Sequence, residues 1–426
     1  MFVASVENAK GPLTYTWSFN DGSQSVSTSS PVFTNVFETL GLIDVTLSVS
    51  DTLTTAGLTR FEYVRVAPAL ILVAEGAGDG VFPHDTWATA IGSLNTALTL
   101  ADHGTLIILS NGLHTVSAQL LLDKAVTLRG LTGKPEDVTV LRDSGFNNVQ
   151  LNTFFVLNHA GARLESVFVH GNNLVRGNSV NINILGSGGT VTNCVIAMGN
   201  SGSWNGNPGG VRLGSPQALV THCVITNNVQ EFTNSEHLGG GVRMNAGRLE
   251  NSLIADNRSG GADNGGQSNS GGVSVEGGTV LNCTIVGNSA SGHATNPTVF
   301  GGIRVSGGGL VLNSIIAGNS ITLPGNNPGG MAWGGTASLF QNCLMDVEPP
   351  VDGDWKTANA DDVFKKYAAQ NYRLKQGSPA VNAGPITDPS TVAATDLDGL
   401  PRVFGKSIDL GCYELQHAGG TLLMGW

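Results

Sequence analysis

The middle of the chain alternates apolar and polar residues at a period of two, and this alternation is itself repeated. Between about residues 181 and 345 the apolar positions are mostly β-branched and are separated by clusters of Gly, Asn and Ser. The same short pattern returns every 29 to 31 residues. Alternation of this kind between turn-forming clusters predicts strands rather than helices. Aligning the repeats brings six polar residues into one place: Asn193, His222, Asn251, Asn282, Asn313 and Asn342.

A fixed repeat of strands and turns predicts a parallel solenoid, in which each coil buries its apolar residues only against neighbouring coils. Equivalent residues of successive coils then lie about 4.8 Å apart. The six aligned residues are expected to form a ladder at a tight turn, because asparagine tolerates a left-handed backbone and its amide can donate to the amide of the next coil. The cysteines that follow them are expected to be buried, unbridged thiols.

Residues from about 70 to 345 resemble the right-handed parallel β-helix proteins of the pectate-lyase-like kind. The resemblance is carried by the repeat, the apolar columns and the stacked asparagines. It implies an all-β fold built on a right-handed parallel β-helix, and it leaves the activity open. That superfamily contains polysaccharide lyases, glycoside hydrolases, phage tailspikes and adhesins.

Residues 1–67 form a separate unit. Alternating strands around the turn Asn20-Asp21-Gly22 predict an antiparallel β-sandwich. The run from Tyr15 to Gly22 and the strand from Val45 to Ser50 resemble the PKD domain, an immunoglobulin-like module of secreted and surface proteins. Compared with that family the first strand is missing, since the segment starting at Phe2 already resembles the second.

A solenoid spanning residues 68–348 needs its first coil covered, and one helix is expected to do this. From Thr86 to about Ala101 the apolar residues, among them Trp87 and Leu94, recur on one helical face. A short amphipathic helix near 86–101 is therefore predicted to cap the open end of the β-helix.

Residues 349–426 form a terminal module with a different pattern. The segments 377–384, 396–399 and 408–414 resemble the C-terminal choice-of-anchor module that follows β-helices in many bacterial surface proteins. The resemblance implies capping of the rod, export and attachment to the cell surface.

The low and negative charge of the chain argues against one class of partner, nucleic acids. Only 12% of the residues are charged, and the net charge is −11. This balance argues against nucleic-acid binding, which requires a basic patch or stripe. No segment is long and apolar enough to span a membrane. An extracellular or cell-surface location is expected from the resemblances above.

Candidate binding residues lie on the strand after the Gly-Gly pairs, where three arginines share one outward position. A column of guanidinium groups could hold a polysaccharide or a cell-surface glycan that carries carboxylates. Glu276 lies on the same face, so the alternative is an ordinary solvated ion-pair network without a ligand. Trp204, in an insert between coils, is a candidate for stacking on a sugar ring. The three arginines are Arg212, Arg243 and Arg304.

No catalytic site is recognisable in the sequence. Glu165 and Glu250 lie in non-adjacent coils, whereas a glycoside hydrolase needs two carboxylates close together. Zinc, redox and phosphate-loop motifs are missing. No cofactor is expected, although calcium could bind at Asp396 and Asp398, where the pattern falls short of a complete oxygen-rich loop.

These observations favour a secreted or cell-surface bacterial protein with a structural, adhesive or glycan-contacting role. The first alternative is a polysaccharide lyase or glycoside hydrolase that acts on an acidic glycan. The second is a subunit of an extracellular filament, in which the apolar tail 419–426 of one copy donates a strand to the sandwich of another.

Overall fold

The structure of the chain is a computed structural model. It describes residues 1–145, 153–173, 180–202, 207–231, 239–260, 269–291, 299–322, 331–350, 353–386, 392–404 and 407–416.

The N-terminal unit is an antiparallel sandwich, as predicted. One sheet holds four strands in the order Val26–Thr28, Thr14–Phe19, Gly41–Ser50 and Thr55–Val66. Facing it, Phe2–Val3 pairs with Val32–Phe33. Alternation along the strands turns Tyr15, Trp17 and Val45 into the small core between the two sheets.

The rest of the described chain is dominated by a parallel β-solenoid whose strands form three long sheets, here called faces A, B and C. Face A consists of Leu70–Val73, Leu106–Leu109, Thr127–Gly130, Arg163–Glu165, Gly189–Thr192, Ala218–Thr221, Arg248–Glu250, the second halves of Val273–Leu281 and Val299–Leu312, and Phe340–Gln341. Face B consists of Gly112–Val116, Val138–Arg142, Phe168–His170, Val195–Ala197, Val224–Thr226, Leu253–Ala255, Thr284–Val286, Ile315–Ala317, Cys343–Met345 and Trp355–Thr357. Face C consists of Leu120–Leu122, Thr153–Leu157, Val180–Ile184, Val211–Leu213, Val242–Met244, the first halves of Val273–Leu281 and Val299–Leu312, and Met331–Gly335.

A fourth, short sheet, face D, follows face B in the middle coils. Its strands are Asn200–Ser201, Val229–Gln230, Arg258–Ser259, Ser289–Ser291 and Ser320–Thr322. The pair Asn269–Ser270 adds to the start of Val299–Leu312. The predicted parallel β-helix is confirmed by this register. No helix within the described ranges is long and apolar enough to cross a membrane.

The sharp corner between faces A and B is made by the six residues that the sequence aligned. Each has a left-handed backbone, with φ between 43° and 52°. The expected amide-to-amide ladder, however, is in a different place. Among the described members of this column, one such bond is found, from Asn342 Nδ2 to Asn313 Oδ1 at 2.8 Å.

The continuous amide ladder lies instead at the corner between faces B and D. Each side-chain amide there donates from Nδ2 to the Oδ1 of the next coil, at 3.0 Å in every step. These side chains point inward and are largely buried, so their polar atoms must be satisfied within the column. The asparagine ladder consists of Asn228, Asn257, Asn288 and Asn319.

The predicted cap helix is shorter than its apolar pattern. It spans Leu94–Leu100 and begins at Ser93, whose hydroxyl accepts a hydrogen bond from Thr96 N. Ile91 forms a parallel bridge with Val73, which holds the preceding residues in an extended conformation. Tertiary pairing therefore overrides helix periodicity before Ser93, and Trp87 remains 45% exposed. Leu94 and Ala97 are buried against the first coils.

The far end of the solenoid core is closed by three aromatic rings. Trp333 lies 5.3 Å from Phe340 and 5.0 Å from Trp355 between ring centroids, in edge-to-face arrangements. Trp355 belongs to the last strand of face B, so the solenoid continues beyond residue 348. All five cysteines are free and buried, as predicted for those in the coils.

The terminal module packs sideways against the outer surface of face B. It contains the short helix Ala360–Val363 and a hairpin of Phe364–Lys366 with Asn371–Leu374. Three-residue 3-10 turns lie at Tyr367–Ala369 here and at Pro135–Asp137 and Ala337–Leu339 in the solenoid. The contact surface is apolar, with Leu253, Val286, Ile315 and Leu344 of face B meeting Val363, Phe364, Tyr372 and Leu410 of the module.

Candidate functional site

The strand register of face C brings the three predicted arginines into one column. Arg212 lies opposite Arg243, which lies opposite Ser274, and Ser274 lies opposite Arg304. Asn183 precedes Arg212 in the same register. The residues on either side of each arginine, such as Val211 and Leu213, are fully buried in the core. Strict alternation therefore fixes the outward direction of the guanidinium groups, which we call the arginine column.

Glu276 joins this column through Arg243. The carboxylate accepts two bonds from Arg243 Nη2, at 3.3 Å and 3.2 Å. Asn245 Nδ2 donates to the same carboxylate. Asn245 Oδ1 lies 3.4 Å from Arg212 Nε, and Arg212 Nη1 donates to Asn207 Oδ1 at 3.2 Å. One amide thus links the ion pair to the neighbouring guanidinium.

The arginines are less exposed than a free sheet face would make them. Arg212 and Arg304 are half-buried, and the Arg243 side chain is only 13% exposed. The arginines face outward as expected, but their side chains are more buried than an open sheet face would leave them. Lateral packing between stacked coils, which holds each guanidinium against its neighbours, accounts for part of this burial.

Positive charge exceeds negative charge along the part of the column that the structure describes. Arg243 is paired with Glu276, whereas the bonds of Arg212 to described residues are to the amide oxygens of Asn245 and Asn207. Arg304 forms no ion pair within the described ranges. Burial lowers the pKa of Arg212, and the charge of Arg243 lowers it further, while Glu276 opposes both. The described residues of the column thus hold three guanidinium groups and one carboxylate, which pairs with Arg243 alone.

Two of the residues in this network were missed from the sequence. Asn245 lies two positions after Arg243 on the same outward face, so alternation alone could have identified it. Asn207 lies just after an insert, where the repeat gives no register. Trp204, the predicted sugar-stacking residue, lies outside the described residues.

Carboxylates on face A do not form a hydrolytic pair. Glu165 bonds to Arg163 on its own strand, and Glu250 bonds to Arg248 on its own strand. The two glutamates are separated by three coil steps, or about 14 Å. Glycosidases of either stereochemical type hold their two carboxyl groups within about 10 Å. This pair therefore cannot act as an acid and a base on one bond.

His222 is held between the solenoid and the terminal module. Its Nδ1 lies 2.9 Å from Thr221 Oγ1, and its Nε2 lies 2.9 Å from the carbonyl oxygen of Thr395. Nε2 donates to the carbonyl oxygen, and Nδ1 bonds to a hydroxyl that can act as donor or acceptor. Burial raises the pKa of nearby Glu250, with Arg248 and His222 opposing that shift. The imidazole thus fastens the module to a corner of the rod.

The predicted calcium ligands are occupied by protein donors. Asp396 is buried and accepts bonds from the backbone N–H groups of Asp398, Leu400 and Glu414. Asp398 forms a bidentate ion pair with Arg373, at 2.5 Å and 2.6 Å. Within the described ranges, no group of three or more metal-ligating side chains comes together. The oxygens of Asp396 organise a turn in this structure.

Asp396 also belongs to a buried ionic cluster in the terminal module. Arg402 is fully buried and donates to the carbonyl oxygens of Asp409 and Gly411, at 3.0 Å and 2.6 Å. Its Nη1 lies 3.7 Å from Glu414 Oε2. Burial raises the pKa of Glu414 to about 7. These charged side chains are therefore part of the core of the module.

Comparison with known proteins supports the N-terminal assignment. Residues 1–61 match the family model of the PKD domain, so the N-terminal unit is a PKD domain. No curated protein sequence matches the chain. The chain is similar to the crystal structure of pectate lyase Pel9A, with 15% identity over 82% of this chain and 96% of that chain and a TM-score of 0.44.

A second solved structure is that of the pectin methylesterase from Aspergillus niger. Its identity is 16% over 68% of this chain and 91% of that chain, with a TM-score of 0.33. Similarities at this level bear on no residue of the arginine column. The parallel β-helix is established by the strand register itself.

Proposed function

We propose that this chain is an extracellular or cell-surface β-helix protein that contacts an acidic glycan through the arginine column. The observation that carries the proposal is the stacking of Arg212, Arg243 and Arg304 on one face, where among the described residues a single carboxylate, Glu276, pairs with Arg243 only. The proposed role is binding without catalysis. A PKD domain at the N-terminus supports placement outside the cell.

The positive charge of the arginine column has to overcome the repulsion between an acidic glycan and the negative net charge of the whole chain. The net charge of −11 repels an acidic polymer at long range, so binding depends on close contact with the column. The column also runs along the rod, with one outward side chain per coil at spacings of about 4.8 Å. A linear polymer lying parallel to the rod would contact several of these side chains at once. Several weak contacts made together raise the overall affinity.

The test is retention in native gels that contain polygalacturonate, with neutral galactan as the reference polymer. The variant R212A/R243A/R304A is expected to lose retention, at about tenfold in affinity for each charge-assisted contact. The matched control is R163A/R248A/R258A, which removes three exposed arginines that each pair with a glutamate elsewhere. Equal retention of both variants and the unaltered chain would contradict the proposal.

Salt gives a second measurement on the same material. If the contact is electrostatic, the retention of the unaltered chain falls as ionic strength rises, because exposed charges are screened within about 10 Å at 0.1 M. Retention on galactan should be absent in all variants. Retention that is equal on both polymers would show that the contact does not involve the column.

A polysaccharide lyase is the second candidate, and one observation favours it. Arg212 has no carboxylate partner among the described residues, since its Nε and Nη1 face the amide oxygens of Asn245 and Asn207, and burial and Arg243 lower its pKa in the direction that an arginine base requires. Asn245, which is held by Glu276, would then position the guanidinium. Incubation with polygalacturonate, followed by ultraviolet absorbance of unsaturated products, separates the two candidates. Product release that R212K abolishes would replace the binding role with a lyase.

A further inference from the structure

The PKD domain contains an open apolar groove between its two sheets. Two adjoining cavities, of about 490 Å³ and 360 Å³, share Ser5, Leu47 and Leu58 in their linings. Trp17 and Val45 form the floor of the larger cavity. Leu58 points into the groove and is nevertheless 59% exposed, because the short second sheet does not extend over it.

Unpaired strand edges border this groove on both sides. Among the described strands, Thr55–Val66 is the last of its sheet and pairs with Gly41–Ser50 alone. In the other sheet, the one described partner of Phe2–Val3 is Val32–Phe33. Free backbone donors and acceptors beside an apolar floor are the features that bind an extended polypeptide strand. An acyl chain would leave these backbone groups without partners, whereas the main chain of a strand matches them at regular spacing.

One buried donor in the core of the domain, the indole N–H of Trp17, has no acceptor among the described residues, and an inserted strand could supply one. Trp17 is 4% exposed, and its indole Nε1 has no hydrogen-bond partner within the described ranges. Buried indole N–H groups are normally paired. The carbonyl oxygens of an inserted strand are acceptors, so strand insertion could satisfy both the indole and the sheet edges.

Exposed apolar side chains are also concentrated in this domain. Of the 21 large apolar residues that are exposed in the described chain, 11 lie within residues 1–66. Phe61 and Tyr63, which follow Leu58 on the edge strand, are 77% and 53% exposed. An apolar interaction surface, distinct from the charged arginine column of the solenoid, is therefore expected in this domain.

We infer that the groove accepts residues 421–426 from a second copy of this chain. This segment, Thr-Leu-Leu-Met-Gly-Trp, places Leu422, Met424 and Trp426 at alternate positions, as required of a strand with one apolar face. Six extended residues span about 20 Å, the length of an ordinary strand. The contact joins the tail of one copy to the PKD domain of the next, so repetition produces an open filament. It is independent of the arginine column.

Three proteins and one peptide test this inference. Sedimentation velocity over a wide concentration range compares the full chain, a variant lacking residues 417–426, and the variant L58K. A fluorescein-labelled peptide of residues 419–426 is then titrated into the shortened variant, and binding is followed by anisotropy. Leu58 is more than half exposed, so lysine there leaves the free domain folded, which circular dichroism verifies.

The full chain is expected to assemble with rising concentration and the shortened variant to stay monomeric while binding the peptide. L58K should block assembly, and L58K combined with the deletion should weaken peptide binding by at least about tenfold, because a charge would have to enter an apolar groove. V36K, which alters a residue 82% exposed in the same domain but outside the groove, should match the full chain. R212A/R243A/R304A should also assemble normally.

A monomeric full chain together with an absence of peptide binding overturns the inference. So does assembly that persists in the shortened variant. If the full chain is monomeric and the peptide binds only after the deletion, the strand is donated within one molecule, and the role of a second copy is overturned.

Discussion

The asparagine ladder offers the sharpest test of what holds the solenoid together. Asn228 is fully buried at the corner between faces B and D. Its Oδ1 accepts hydrogen bonds from Gly199 N at 3.0 Å and from Asn181 Nδ2 at 3.3 Å. Its Nδ2 donates to the carbonyl oxygen of Ile196 at 2.9 Å and to Asn257 Oδ1 at 3.0 Å. Replacing Asn228 by alanine removes all four side-chain bonds.

The expected loss follows from the groups that would be left without partners. Gly199 N would become a buried donor without an acceptor, at a cost of about 1–3 kcal/mol, whereas Asn181 Nδ2 keeps its bond to the carbonyl oxygen of Ala197 at 3.0 Å. Asn257 Oδ1 keeps its bond from the backbone N–H of residue 228. Asn228→Ala should therefore lower the free energy of unfolding by about 1–3 kcal/mol. The small cavity left by the amide adds to this loss.

The adjacent residue provides a matched control. Asn227 has the same side chain, but it is exposed, has a left-handed backbone with φ of 52°, and bonds only to Thr226 Oγ1 among described residues. Asn227→Gly keeps that backbone available and should change stability by less than about 1 kcal/mol. Urea unfolding followed by circular dichroism compares the two variants. Hydrogen exchange locates the weakened coils, because a solenoid loses stability locally.

The ladder also predicts coupling between coils. Asn228→Ala and Asn257→Ala remove neighbouring members of one chain of bonds, so their combined effect should be smaller than the sum of the separate effects. Additive effects, or a loss for Asn228→Ala no larger than that for Asn227→Gly, would refute the assignment of the ladder to this corner.

Three further predictions concern the terminal module and the cysteines. Arg402→Met should destabilise the module by about 3–5 kcal/mol in thermal unfolding, because Arg402 is the buried cation beside Glu414 and the carbonyl of Asp409. The pKa of Glu414 is raised to about 7, so the stabilisation from its protonated form is complete below about pH 4.5 and is lost as pH rises through 7. The unfolding temperature should therefore fall over this pH range, and Glu414→Gln should flatten the fall. An unchanged pH profile in this variant would show that another group titrates. Burial raises the pKa of the Cys343 thiol to about 12, so alkylation detected by mass spectrometry should require unfolding, and rapid labelling of the folded chain would contradict that burial.

The repeat in the sequence was enough to predict the register of the inward columns. Val191, Val220 and Leu249 occupy equivalent places in adjacent coils and are fully buried. Spacing and alternation determine this outcome, because a slip by one residue would turn every apolar side chain outward. The arginine column follows from the same rule applied to face C.

Spacing alone could not distinguish the two asparagine columns. Asn251 and Asn257 recur with the same period, and either could form a ladder. Whether an amide points inward depends on the corner geometry, which the repeat length does not specify. The cap helix is present, but its predicted start was wrong for a related reason, since the pairing of Ile91 with Val73 is a contact between distant residues that helical periodicity cannot reveal.

A side chain that points out of the solenoid is not necessarily exposed to solvent, as the strands of face B show. Strands with one buried face alternate in polarity, whereas strands buried on both faces read as continuous apolar runs. Leu253-Ile254-Ala255 and Ile315-Ile316-Ala317 are such runs, and the terminal module covers their outer side chains. In the earlier strand Phe168–His170, the outward residues remain half-buried. The apolar runs were therefore a signal in the sequence that a second layer packs on the later coils. Because that layer and the solenoid share one apolar cluster, destabilising the module exposes Leu253 and Ile315, so damage at Arg402 should spread to the coils it covers.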